Sequence, residues 1–243
     1  MVGAVDHKLL LDGGPPCLTG CNVTTKINYC AKSCASQCVS TSNDPDCDGL
    51  PDPRDPDPGC NRFVIAEELA ADPASNPGVW SVTGAPKWSC GTESFQDGDR
   101  LELDATLAPA TSRFLAEMEF TLGPLNTAVG STVILSAGVP GKADFECRAR
   151  TEASNPGLQL VANNGACTYS NKKVIPSGEY VMQLYVDSSD TMTCRLYDGQ
   201  GNLFDTAQRP VSMCPASAAT FEVSLRSVTQ PFIAHNIRVF ELP

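Results

Sequence analysis

Between Phe114 and Leu122 the chain alternates with a period of two: Phe114, Ala116, Met118, Phe120 and Leu122 are apolar or small, while Glu117, Glu119 and Thr121 fall between them. Successive side chains of a strand point to opposite faces, so this period predicts a strand with one face in a core and the carboxylate face toward solvent. The alternation recurs in Leu101–Ala105, Tyr180–Asp187, Phe221–Arg226 and Ile237–Val239. Turn signals separate these segments: Asp97-Gly98, Asn155-Pro156-Gly157, Asn164-Gly165, Ser177-Gly178 and Asp198-Gly199-Gln200-Gly201. Glycine supplies positive φ without steric cost, and Asn and Asp bond their own backbone in turns. The pattern predicts a mainly β domain over residues 61–243, an antiparallel two-sheet sandwich of on the order of ten strands or more.

Before residue 61 the patterning disappears. Residues 1–16 hold one apolar stretch, Leu9-Leu10-Leu11, closed by Gly13-Gly14-Pro15-Pro16, and read as an N-terminal arm. Residues 17–60 carry seven of the twelve cysteines and little apolar mass, so disulfides and ions must take the place of a core. Cys30, Cys34 and Cys38 would share one helical face, and Cys17 and Cys21 repeat their spacing; an iron–sulfur or zinc reading is the lesser alternative. Asn22-Val23-Thr24 is a glycosylation sequon.

The segment from Asp44 to Cys60 places six aspartates around Gly49. Ca²⁺ is a hard cation that takes six to eight oxygens, and carboxylates at loop positions 1, 3 and 5 converge on it when glycine at position 6 allows the sharp turn. Asp44, Asp46, Asp48 and Gly49 fill those positions, the Leu50 carbonyl falls at 7, Asp52 at 9 and Asp55 at 12. Pro45, Pro51, Pro53, Pro56 and Pro58 forbid the flanking helices of an EF-hand. The pattern D-x-D-x-D-G-x-x-D-x-x-D with interspersed cysteines resembles the thrombospondin type 3 repeat over residues 43–60. The resemblance implies that Asp44, Asp46, Asp48, the Leu50 carbonyl and Asp55 hold one calcium ion, with Asp52 and Asp57 available for a second. The bland alternative is a solvated acidic linker.

Charge and cysteine usage narrow the partners. A formal net charge of −11 repels phosphate backbones and argues against nucleic acid. Twelve cysteines without a C-x-x-C-H motif point to an oxidising, extracellular or cell-surface setting. No apolar run approaches the roughly 20 residues of a membrane span, and the first residues lack a basic-then-hydrophobic signal, so a secretion signal is expected to have been removed or to lie outside the numbering. Cys147 and Cys167, like Cys194 and Cys214, stand twenty positions apart across Gly-containing turns, and the expected disulfides are Cys147–Cys167 and Cys194–Cys214. Cys60 with Cys90 would then balance the odd count in each half.

Trp80–Gly84, Gly178–Leu184, Cys194–Gly199 and Ile233–Val239 together resemble the strands of a concanavalin-type or laminin-G-like jelly roll. A calcium repeat followed by such a sandwich is the order of the thrombospondin C-terminal region, and the resemblance implies extracellular adhesion and contact with matrix or carbohydrate. Among the aromatic rings, Trp80, Trp88, Tyr169, Tyr185 and Tyr197 are the candidates to stack on sugars. Tyr185, on the polar face of its strand, is expected to be exposed, with Trp88 as a second candidate; core burial is the better reading for both tryptophans.

An enzyme needs a named acid, base or nucleophile. Glu117 and Glu119 would lie about 7 Å apart on one strand face; jelly-roll glucanases use a strand motif E-x-D-x-x-E with carboxylates flanking the glycosidic bond, and its third carboxylate is absent here. His7 and His235 are the only histidines, and no G-x-S-x-G elbow is present. His235 reads as a strand-edge hydrogen bonder. The expectation is a non-catalytic, calcium-stabilised recognition or adhesion protein. The alternatives are a subunit of an extracellular fibre or surface layer that assembles as a homo-oligomer through residues 1–16, and a jelly-roll polysaccharide hydrolase or lyase. The sandwich is also expected to survive chelation while residues 17–60 do not.

Overall fold

The computed structural model describes Arg54 and residues 62–67, 72–75, 79–89, 92–103, 113–138, 144–162, 167–170, 172–186, 189–213 and 222–242. The expected calcium ligands Asp44, Asp46, Asp48, Leu50, Asp52, Asp55 and Asp57, and Cys60, Cys90 and Cys214, lie outside these residues.

Among the described residues the chain forms fifteen strands in two antiparallel sheets, with short 3-10 turns at Pro73–Ser75 and Val211–Met213. One sheet contains β1 (Arg62–Glu67), β3 (Lys87–Ser89), β4 (Thr92–Phe95), β6 (Phe114–Leu122), β11 (Gly178–Val186), β12 (Thr191–Asp198), β13 (Leu203–Pro210) and β15 (Phe232–Glu241). Its order is β13-β12-β11-β6-β15-β4-β3, with β1 also paired to β15. The second contains β2 (Trp80–Thr83), β5 (Arg100–Leu103), β7 (Thr132–Gly138), β8 (Asp144–Arg150), β9 (Gly157–Ala162), β10 (Cys167–Ser170) and β14 (Glu222–Val228), in the order β10-β9-β8-β7-β14-β5-β2. The chain changes sheet between β1 and β2, β2 and β3, β4 and β5, β5 and β6, β6 and β7, β10 and β11, β13 and β14, and β14 and β15, which gives the sandwich its jelly-roll winding.

The predicted alternation is what closes the core. Phe114, Ala116, Met118, Phe120 and Leu122 of β6 meet Met182, Leu184 and Val186 of β11, Ile237 and Val239 of β15, and Val133, Leu135, Phe145, Leu158 and Leu225 from the other sheet. At one end the Phe95 and Phe232 rings stack with centroids 4.5 Å apart, and Phe120 meets Phe232 edge-on. Each such side chain contributes roughly 1.5–3 kcal/mol by leaving water.

The cysteine pairing differs from the expectation. Cys147 on β8 is bonded to Cys194 on β12, one from each sheet, with Cα atoms 5.4 Å apart. Cys147–Cys167 and Cys194–Cys214 are therefore both corrected. Equal spacing across a turn suited a bridge between neighbouring strands, but Cys147 and Cys194 each point into the core, where their partner lies in the opposing sheet.

Candidate functional site

The polar positions of β6, β11, β12 and β15 lie on the outer face of the eight-stranded sheet. Register aligns them into rows. Arg195, Gln183, Glu117 and Arg238 stand opposite one another across the four strands, and the next row holds Tyr197, Val181, Glu119 and Asn236. On the other side of the charged row lie Thr193, Tyr185, Leu115 and Phe240.

This face is not the solvated surface that alternation predicts. Glu117 is 1% exposed, Gln183 0% and Arg238 1%, so the expected solvent-facing carboxylate is buried. Leu115, Tyr185, Phe240 and Leu242 form a second apolar cluster beside the charged row. Tyr185 and Tyr197 are buried as well, and the expectation of an exposed Tyr185 platform is corrected. Trp80 is buried and Trp88 packs partly buried against the main core.

Burial of charge is tolerated here because it is paired. Arg238 Nη2 lies 3.1 Å from Glu117 Oε1 and also contacts Glu119 Oε1, so one guanidinium bridges both carboxylates. Gln183 donates through Nε2 to Glu117 Oε2 at 2.8 Å. Arg54 adds a second guanidinium, 3.6 Å from Glu117 and 3.7 Å from Glu119, and its backbone carbonyl accepts from Gln183 Nε2 at 2.9 Å. Arg195 stacks over the Tyr185 ring, 5.2 Å from its centroid, and donates to the Tyr197 hydroxyl. Burial pushes the Tyr197 hydroxyl above its ordinary pKa, opposed by Arg195.

At the far end of the face a bulge between Ala234 and Asn236 releases His235 from the ladder. Its Nε2 lies 2.7 Å from Thr121 Oγ1. Burial lowers its pKa, with Glu119 and Glu179 acting in the opposite sense. His235 is a hydrogen bonder, as expected, but it stands in a bulge of β15, which lies inside the sheet and not at its edge.

Glycoside hydrolysis requires one carboxyl able to give a proton and a second free to attack or activate water, with the glycosidic bond between them. Here a guanidinium spans the two glutamates and contacts both. The sequence pointed to Glu117 and Glu119 but not to Arg238, Gln183 or Arg54. The available signal was complementary charge on strands of the same alternation, Glu117 and Glu119 against Arg195 and Arg238, together with the adjacent apolar pairs Phe114-Leu115 and Val239-Phe240, which mark strands buried on both faces.

A second buried acid lies on the core side. Glu93 of β4 is 2% exposed, its Oε2 has no hydrogen-bond partner, and its pKa is pushed up to about 7 by burial first and then by Asp72 and Asp99. Asp99 itself accepts from the Ala85 and Gln96 amides, one on each carboxylate oxygen. Among the described residues no group of three His, Cys, Asp or Glu side chains could hold a metal ion, and no helix is long and apolar enough to cross a membrane.

No family model and no curated protein matches this sequence. Solved structures do resemble it in fold. The legume lectin-like domain from Entamoeba histolytica aligns with TM-score 0.50 and 8% identity over 74% of this chain and 98% of that one. The exoplasmic/lumenal domain of VIP36 in its Ca²⁺/Man3GlcNAc-bound form gives TM-score 0.49 and 9% identity, covering 69% and 86%. Peanut lectin with a nine-residue peptide gives 0.48 and 10%, covering 72% and 95%. The fold class is that of the legume-lectin-like jelly rolls.

Proposed function

We propose that this chain is an extracellular, calcium-stabilised, non-catalytic carbohydrate-recognition and adhesion protein. The observation that carries the reading is the jelly-roll sandwich itself, which spans 98% of a legume lectin-like domain. The non-catalytic half is supported by Arg238, which contacts both members of the carboxylate pair that a hydrolase on this sheet would need. Calcium is assigned to Asp44, Asp46, Asp48, the Leu50 carbonyl and Asp55, with Asp52 and Asp57 toward a second ion, on the spacing of oxygen donors around Gly49. The disulfide across the sandwich suits an oxidising compartment. Glycan-array binding in calcium and in chelator, with the same glycans assayed for chain cleavage, tests the reading. Binding in calcium without cleavage supports it, and release of shortened glycans overturns it.

A further inference from the structure

We propose that Glu117, Glu119 and Gln183 form a guanidinium clamp on the outer face of the eight-stranded sheet, and that its ligand is Arg54 of the same chain. This goes beyond carbohydrate recognition and does not depend on the calcium assignment. Three contacts define the clamp: the Arg54 guanidinium lies 3.6 Å from Glu117 and 3.7 Å from Glu119, and the Arg54 carbonyl accepts from Gln183 at 2.9 Å. Side chain and backbone are thus gripped together, which fixes the course of the chain at Arg54 as well as its charge.

Charge arithmetic says why the clamp needs this ligand. Arg238 alone would leave two carboxylates on one guanidinium, and Glu117 is 1% exposed, beyond the reach of solvent to compensate. Among the described contacts, Arg54 is a second guanidinium on the same two carboxylates. Its own neighbours in sequence, Asp52 and Asp55, would otherwise hold it in a locally acidic stretch. Yet its side chain is only 13% exposed and turned onto the sheet. Gln183, wholly buried, divides its amide between Glu117 and the Arg54 carbonyl, so sheet and segment share one hydrogen-bonding group.

The clamp therefore holds the chain at Arg54 against the sheet face, and losing it should loosen residues 43–60 while β6 stays folded. The test is hydrogen–deuterium exchange on the full chain and on Arg54→Ala, Glu119→Gln and the double variant, with β6 amides as the folding control. Arg54→Ala should speed exchange across residues 43–60 by about tenfold or more, Glu119→Gln by less, and the double variant no more than Arg54→Ala. Arg54→Lys should keep part of the protection, less than the wild type, because an ammonium is a point charge where the planar guanidinium presents a fork to two carboxylates. Wild-type exchange in Arg54→Ala, or additive effects in the double variant, would overturn the clamp. Should Glu119→Gln disturb β6, the Arg54→Ala and Arg54→Lys comparisons decide alone.

Discussion

The Cα atoms of Cys147 and Cys194 lie 5.4 Å apart across the two sheets, although 47 positions separate them in sequence. A bond between sheets restricts the unfolded chain more than one between adjacent strands of a hairpin, and a loop of this length corresponds to about 4 kcal/mol in the chain-entropy account. Replacing both cysteines with alanine should lower the free energy of unfolding by about 2–5 kcal/mol in a urea titration. A non-reduced peptide map should return the 147–194 link. Recovery of a 147–167 link would contradict the assignment.

Arg238 is the centre of the outer-face charges, and its removal leaves Glu117 buried against fewer positive partners. Arg238→Ala should cost about 3–5 kcal/mol, while Arg238→Met combined with Glu117→Gln should recover part of that loss, since it removes both charges together. Equilibrium unfolding of the three proteins checks the order.

Glu93 makes stability depend on pH in a defined direction. Its folded pKa, about 7, lies above the ordinary 4.5, so between those values the folded chain holds a proton that the unfolded chain has released. The contribution of this group is fully present below pH 4.5, declines as pH rises through the window, and is lost above about 7. Glu93→Gln keeps the shape without the charge. The variant should melt higher than the parent at pH 8 and nearly with it at pH 4.5. Equal melting differences at the two values would contradict the buried-acid account.

Gly84 and Gly98 both have φ +83°, but their surroundings differ. A Cβ at Gly98 meets nothing within 4 Å, so Gly98→Ala should cost about 1–2 kcal/mol from backbone strain alone. A Cβ at Gly84 would collide with the Asp99 carboxylate and stand 3.1 Å from its Cα, disturbing the bonds Asp99 accepts from Ala85 and Gln96. Gly84→Ala should therefore cost about 1–3 kcal/mol more than Gly98→Ala, as overpacking adds to strain. Paired denaturation curves decide this.

The sandwich was legible because alternation reports one buried face directly: the segments at Leu101, Phe114, Tyr180, Phe221 and Ile237 coincide with β5, β6, β11, β14 and β15. The same alternation could not report what covers the opposite face. Alternation puts Glu117 and Tyr185 in solvent, since a polar residue between apolar ones is exposed only if nothing packs on it; here Arg54 lies against Glu117, and Tyr185 packs with Leu115, Phe240 and Leu242. Disulfide partners were illegible for a related reason. Chain separation constrains loops, whereas Cys147 meets Cys194 because two core-facing positions lie in register across the sandwich.

The most direct test of the central claim is glycan binding to the intact protein, measured on one array in calcium and again in chelator, with reducing ends counted in the same wells. The account predicts retention on a defined set of glycans in calcium, loss of that retention on chelation, and no new reducing ends in either condition. Absence of glycan binding in calcium, or a rise in reducing ends, would contradict it.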